Sequence, residues 1–422
     1  MLYSCHMVLK VDVPMALVHG DVDEGYGAVA DAFRRNFAEG REVGAACAVY
    51  RDGVKVVDLW GGYRNGLTRE PWRENTLVPV YSTTKGVASL AVAVAHARGL
   101  LSYDERVAAY WPEFAEAGKS EITVRQLLSH QAGLPVIDRP LKLADLADPH
   151  VLSAALAEQR PAWTPGTRHG YHGQSLGYYE SELIRRVDPR GRSLGRYFAE
   201  EIAAPLDAEF HIGLPSTVDP ELIAHIHGFA GFEMLLHVGE MPLPFVLAFS
   251  NPRSLSARAF SNPRELSKVE AFNHPDVRAL EIPAANGIGE VRSIAKLYGD
   301  AATGGKALGL DTATVEALTR AARSPSEGLR DQVLRLDTLY SLGYMKPFPR
   351  FRFGSSTGTA FGTMGLGGSF AFADPNTGVG FAYAMNRCGF HLWDDPREVA
   401  LRDALFSTVL GEAPQRPDAR RR

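Results

Sequence analysis

Residues 87–97 read Val-Ala-Ser-Leu-Ala-Val-Ala-Val-Ala-His-Ala, an aliphatic run that only Ser89 and His96 interrupt. A helix of that composition has no polar face, so it is stable only where protein surrounds it. It is too short to cross a bilayer, and Arg98-Gly99 supplies the cation and left-handed stop of an ordinary helix end. The chain must therefore build a core around this segment. Immediately before it stands Val80-Tyr81-Ser82-Thr83-Thr84-Lys85-Gly86, which places Ser82 and Lys85 at the amino end of a buried helix.

Ser82 and Lys85 share one face of the first helical turn. A serine hydroxyl is a weak nucleophile until a neighbouring base takes its proton. A lysine can be that base when desolvation or a nearby positive end disfavours its ammonium. The helix amino terminus is such a positive end, and its free N–H groups can hold an oxyanion. Ser-x-x-Lys is in this sense a serine–lysine catalytic pair. The spacing alone is weak evidence, because such a pattern is expected about once by chance in a chain this long. Ser82 as an N-cap and Lys85 as a solvated first-turn residue would explain it as well.

A chain of 422 residues has room for two or three domains or one large bipartite one. Hydrophobic content of 45% and charged content of 22% are those of an ordinary globular protein. A net charge of −4 without a polybasic stretch argues against a nucleic-acid partner. Cys5, Cys47 and Cys388 are odd in number and scattered, which suits neither a disulfide framework nor a zinc site and favours a reducing, cytoplasmic location. Residues 1–20 lack a basic start and a continuous apolar core, so neither signal peptide nor membrane span is expected. No P-loop, dinucleotide fingerprint or metal-ligand cluster is present, and no cofactor or metal is expected.

Taken in order, the chain opens with a helical pattern over 24–38, with Val29, Phe33 and Phe37 at its spacing. A hairpin follows, residues 45–50 and 54–60 around Asp52-Gly53. After the buried helix come Gly99-Leu100-Leu101-Ser102-Tyr103-Asp104 and a helix from Thr123, its N-cap, running toward His130 and Gly133-Leu134-Pro135. Further helices are expected within 141–160, restarting at Asp148-Pro149 as N-cap and first helical residue, over 176–187, 194–204 and 291–302, and finally over 395–410. Ser341-Leu342-Gly343-Tyr344 reads as a strand start, and residues 369–373 and 379–386 as a second hairpin. The stretch 228–283 has little periodicity and reads as a surface insertion near a pocket rim. Its Ala248–Arg253 and Ala259–Arg264 form one short direct repeat, too little for a repeat architecture. The tail 411–422 reads as disordered.

The Ser-x-x-Lys helix, the Gly-Leu-Leu-x-x-Asp segment and Thr123-Val124-Arg125-Gln126-Leu127-Leu128-Ser129-His130-Gln131-Ala132-Gly133-Leu134 together resemble the serine β-lactamase-like superfamily. Specifically, they resemble the class C-like esterases called family VIII carboxylesterases. The resemblance covers roughly residues 25–410 in order. It implies an α+β fold of the β-lactamase and penicillin-binding-protein kind, an antiparallel sheet flanked by helices with a mainly helical region inserted. The expected division is 20–98 with 284–410 for the sheet domain and 99–283 for the helical one. It also implies that Tyr171, in Gly170-Tyr171-His172-Gly173, meets Ser82 and Lys85 across the cleft. A phenol beside an ammonium has its pKa pulled down and can relay a proton to a leaving alcohol. Gly173 stands where β-lactamases carry an Asn amide, and Thr363-Met364-Gly365 where they carry Lys-Thr-Gly. The expected oxyanion donors are the N–H groups of Ser82 and Leu366, with Tyr81, Gly173, Thr363, Met364 and Gly365 lining the substrate site. His130 is expected to be structural.

Ser175 is a rival nucleophile, since Gly173-Gln174-Ser175-Leu176-Gly177 fits the Gly-x-Ser-x-Gly elbow of α/β-hydrolases. That elbow needs a buried strand before the serine, and residues 165–170 form a loop without an apolar run. Ser82 is preferred. The functional expectation is hydrolysis of small, uncharged, short-chain carboxylic esters through an acyl-enzyme. The alternatives are an acyltransferase, a β-lactam or amide hydrolase on the same site, a non-catalytic penicillin-binding-like protein, and an α/β-hydrolase using Ser175.

Overall fold

The protein is described by a computed structural model over residues 9–229 and 237–412. Its centre is an antiparallel sheet built from both ends of the chain. Strands β1 (Val18–Val22), β2 (Gly44–Arg51) and β3 (Val54–Asn65) come from the first part, and β4 (Phe361–Met364), β5 (Phe370–Asp374) and β6 (Val379–Met385) from the last. Their order is β1-β3-β2-β6-β5-β4, with the short strand Glu70–Pro71 paired to β3. The seam between the two halves of the chain is the β2–β6 pair, where Ala48 faces Ala382. Asp52 and Gly53 at the β2–β3 turn both have positive φ, 51° and 81°, as a two-residue hairpin requires.

Helices cover both faces. Gly380 of β6 lies against Gly299 of the helix Val291–Ala302, where a Cβ would meet backbone at 2.1 Å. Successive strand residues face opposite sides, so Phe381 points to the other face. There its ring and that of its partner Phe372 stack 5.2 Å apart, and Phe372 reaches Phe406 beyond the terminal helix Pro396–Asp403. Helix α1 (Gly27–Ala38) packs against that terminal helix.

Helix α2 (Thr84–Ala97) runs between the edge strand β4 and a helical layer that includes α3 (Ser175–Val187). Every residue from Thr84 to Ala95 is buried. Gly86 permits this closeness: a Cβ there would come within 1.9 Å of the Tyr298 hydroxyl and 2.6 Å of the Thr363 hydroxyl. The other expected caps also form. Thr123 makes a capping box with Gln126, and Asp148 caps Pro149–Glu158.

Some expectations fail for local reasons. Residues 341–344 do not start a strand, because Gly343 has φ 84° and donates its N–H to Leu128 O at 3.0 Å. Only isolated bridges of Tyr340 to Met345 and Met345 to Gly362 remain. Strand β1 is an addition: in Val-His-Gly-Asp-Val, a half-exposed edge strand, glycine takes the middle of the inward side and only two apolar side chains remain to announce it. The stretch 228–283 is more than a surface insertion. Its described part is a chain of short helices, and Phe245, Leu266, Phe272 and Val277 enter the main core. The direct repeat does not repeat structurally: Asn262 bonds Leu141 N and Ile137 O, whereas Asn251 only caps its own turn. The tail from residue 413 lies outside the described residues, as does Cys5; Cys47 and Cys388 are buried free thiols. Among the described residues no helix is long and apolar enough to cross a membrane, and no group of three or more metal-ligating side chains converges.

Candidate active site

Ser82 sits in the tight turn Tyr81–Thr83 that leads into α2, partly open to solvent. Three hydrogen bonds pin this turn to β4 and the loop after it. Ser369 Oγ donates to Val80 O at 2.9 Å, Thr363 Oγ1 donates to Thr83 O at 3.0 Å, and Thr83 Oγ1 and Ser369 Oγ are 3.0 Å apart. The loop is closed by Gly365 N–H donating to Ser369 O at 2.7 Å. The buried Arg397 guanidinium holds it from behind through Gly367 O at 2.7 Å. The backbone of Gly365 thereby lies against this turn, where a Cβ would fall 2.2 Å from Val80 O.

Lys85 is buried, 1% exposed, and its Nζ has three partners: Ser82 Oγ at 2.9 Å, Gly173 O at 2.6 Å and Ala284 O at 2.9 Å. Two carbonyls thus take two N–H groups, and the third tetrahedral direction aims at Ser82. When the amine is neutral, that direction holds its lone pair. Burial lowers the Lys85 pKa to about 7, against a smaller opposing pull from Glu180. Glu180 on α3 is itself buried, accepts a hydrogen bond from Ser89 at 2.6 Å and is pushed up to about 8 by burial.

Tyr171 completes the group. Its ring centroid is 4.8 Å from Lys85 Nζ, and its phenol lies near enough to Ser82 for that hydroxyl to pull its pKa down. Here the expected lowering of the phenol pKa is reversed. Burial raises it more than the contact with Ser82 lowers it, and the nearby Asp331 carboxylate raises it further. Tyr171 stays a phenol, able to give and receive a proton but not to rest as an anion. Its backbone is held by Asp331, whose carboxylate accepts the Tyr171 N–H at 2.9 Å and the Tyr340 hydroxyl at 2.7 Å.

The remaining expected residues divide. Tyr81 does not line the substrate site: it is buried with φ 47°, its hydroxyl donates to Val269 O at 3.0 Å, and its ring meets Phe272 edge-on. It clamps the 264–273 segment onto the Ser82 turn. Thr363 spends its hydroxyl on Thr83 O and Tyr298, and Gly365 is buried; Met364, half-buried, and Leu366, exposed, lie on the same strand and loop. Gly173 contributes a carbonyl to Lys85. A side chain there has no room, since a Cβ would fall 2.6 Å from Ala259 O and 2.7 Å from the Phe260 ring. Ser175 is buried at the start of α3 with no strand before it, and its hydroxyl donates to Leu134 O at 2.8 Å. His130 is buried and accepts the His172 N–H at 3.1 Å through Nδ1, a structural role. Asp331, Glu180 and the Ala284 carbonyl carry no motif, and only the fold brings them to the site.

A buried helix headed by Ser-x-x-Lys, set beside the edge of an antiparallel sheet made from both chain ends, defines the β-lactamase and penicillin-binding-protein class. The Beta-lactamase family model matches residues 29–404, and the chain belongs to that family. It is 33% identical over 379 residues to the "Esterase/beta-lactamase LipL" of Mycobacterium tuberculosis, spanning 88% of this chain and 83% of that protein. Its structure superposes with a TM-score of 0.80 on a family VIII carboxylesterase, at 36% identity over 93% of this chain and 99% of the other. A penicillin-binding protein homolog from Caulobacter crescentus gives the same four values. The implied α+β fold is therefore the fold observed.

Proposed function

We propose that this protein is a carboxylesterase that cleaves small, uncharged esters through an acyl-enzyme on Ser82. The observation that carries the reading is the Lys85 amine, desolvated, held by two carbonyls and directed at Ser82 Oγ from 2.9 Å. Neutral Lys85 takes the Ser82 proton as Oγ attacks the ester carbonyl carbon. The N–H groups of Ser82 and Leu366 receive the oxyanion. Collapse breaks the bond to the alcohol oxygen, which takes a proton from Lys85 through the Tyr171 phenol. Water then repeats the sequence on the acyl-serine and frees the acid. An acyl acceptor other than water would make the same site an acyltransferase.

Two features support esters over β-lactams. Thr363-Met364-Gly365 offers no cation for a substrate carboxylate, and Ala259 and Phe260 fill the space beside Gly173 that an amide side chain would need. Steady-state kinetics on p-nitrophenyl acetate and butyrate beside a penicillin and a cephalosporin test this. The short esters are expected to show the higher kcat/KM. Equal or faster β-lactam turnover would refute the assignment and favour the lactamase reading that the name of the Mycobacterium tuberculosis relative also allows.

The Lys85 pKa sets the pH dependence. The base works only when neutral, so kcat/KM is expected to rise with pH through about 7. Any negative charge on Glu180 favours the Lys85 ammonium. Glu180→Gln, which keeps an acceptor for Ser89, is therefore expected to move this rise to lower pH. A pH profile identical to the parent's would show that Glu180 does not act on the base.

A further inference from the structure

An apolar surface leads away from Tyr171. The Phe260 ring lies 6.2 Å from the Tyr171 ring and 6.1 Å from that of Phe249. Phe249 ends the helix Leu243–Phe249, whose sequence Leu-Pro-Phe-Val-Leu-Ala-Phe has no polar side chain. Phe245 anchors this helix in the core, but Leu243 is 57%, Leu247 65% and Phe249 37% exposed. Leu243 and Leu247 stand one turn apart on one face, whereas Phe249 lies on the opposite one with Phe245, their rings 5.5 Å apart. Large apolar side chains gathered in the open are costly to hydrate and mark a binding surface when they are contiguous with a site. The continuity with the Tyr171 side of the pocket, where the alcohol takes its proton and departs, runs through Phe260 and Phe249.

We propose that Phe260 and Phe249 bind the alcohol portion of the substrate, so that the protein selects esters of long-chain or aromatic apolar alcohols. This rests on the Ser82–Lys85–Tyr171 reading and adds the leaving-group side to it. The acyl group stays small, while the alcohol is drawn onto an apolar track. A charged or sugar-like alcohol would find no polar partner on this helix.

Acetate esters of straight-chain primary alcohols from ethanol to octanol, assayed as monomers, isolate the effect, because chain length varies while leaving-group acidity stays nearly constant. From ethyl to octyl acetate, kcat/KM is expected to rise about tenfold or more, chiefly through KM. The double variant Leu247→Ser, Phe249→Ser should bring the octyl-to-ethyl ratio to within about twofold of one, with thermal melting confirming its fold. Light scattering on both proteins reports their oligomeric state. A flat series in the parent, or an undiminished ratio in the double variant, overturns the proposal. A flat series with a dimer that the double variant loses assigns the face to a second copy of the chain instead. Absence of Ser82-dependent hydrolysis across the whole series would remove the esterase reading, and this inference with it.

Discussion

Ser82→Ala is expected to lower ester hydrolysis by about four orders of magnitude or more, to the residual level that binding and oxyanion donors sustain. Ser175, the rival by motif, is buried, heads a helix and spends its hydroxyl on Leu134 O. Ser175→Ala should therefore leave most activity intact and cost about 1 kcal/mol of stability, the loss of one buried hydrogen bond. Mass spectrometry after a fluorophosphonate should place the adduct on the peptide containing Ser82. Equal loss of activity in both variants, with the adduct on Ser175, would overturn the site assignment.

Lys85→Ala is expected to lower kcat by about a hundredfold or more, as loss of a positioned base does. Lys85→Arg should not rescue it. A guanidinium stays protonated at any working pH and cannot accept the Ser82 proton. The two carbonyls at 2.6 and 2.9 Å also form a socket for a single nitrogen, not for a planar fork. Tyr171→Phe should cause a loss of similar size while folding normally, because Asp331 holds that residue through its backbone N–H. Stopped-flow acylation kinetics with melting curves on all three variants check this. A wild-type rate in Lys85→Arg would show that Lys85 acts only as a fixed charge.

Much of this was readable from residue order. The run 87–97 could only be a surrounded helix, and Thr84–Ala95 is buried throughout. Asp52-Gly53, Thr123 and Asp148-Pro149 are local devices whose physics is complete within a few residues, and each forms as expected. Residues 341–344 misled because four apolar and small residues carry no sign of the left-handed φ at Gly343. Tyr81 misled for another reason: adjacency to Ser82 says nothing about direction, and its ring turns toward Val269 and Phe272.

By itself, then, the sequence determined the buried helix, the pair Ser82–Lys85 at its head, and the family to which that arrangement belongs. It could do so because helical period and hydrophobic content act over short range. The tertiary structure alone decided the ionisation of the pair. Desolvation depends on what packs around an atom, and the groups that enclose Lys85 come from Gly173, Glu180 and Ala284, far along the chain. It also decided that Tyr171 stays protonated, that Gly173 cannot carry a side chain, and that the rings of Phe260 and Phe249 continue the apolar surface from Tyr171. Those are contacts between segments, and no periodicity within a segment encodes them.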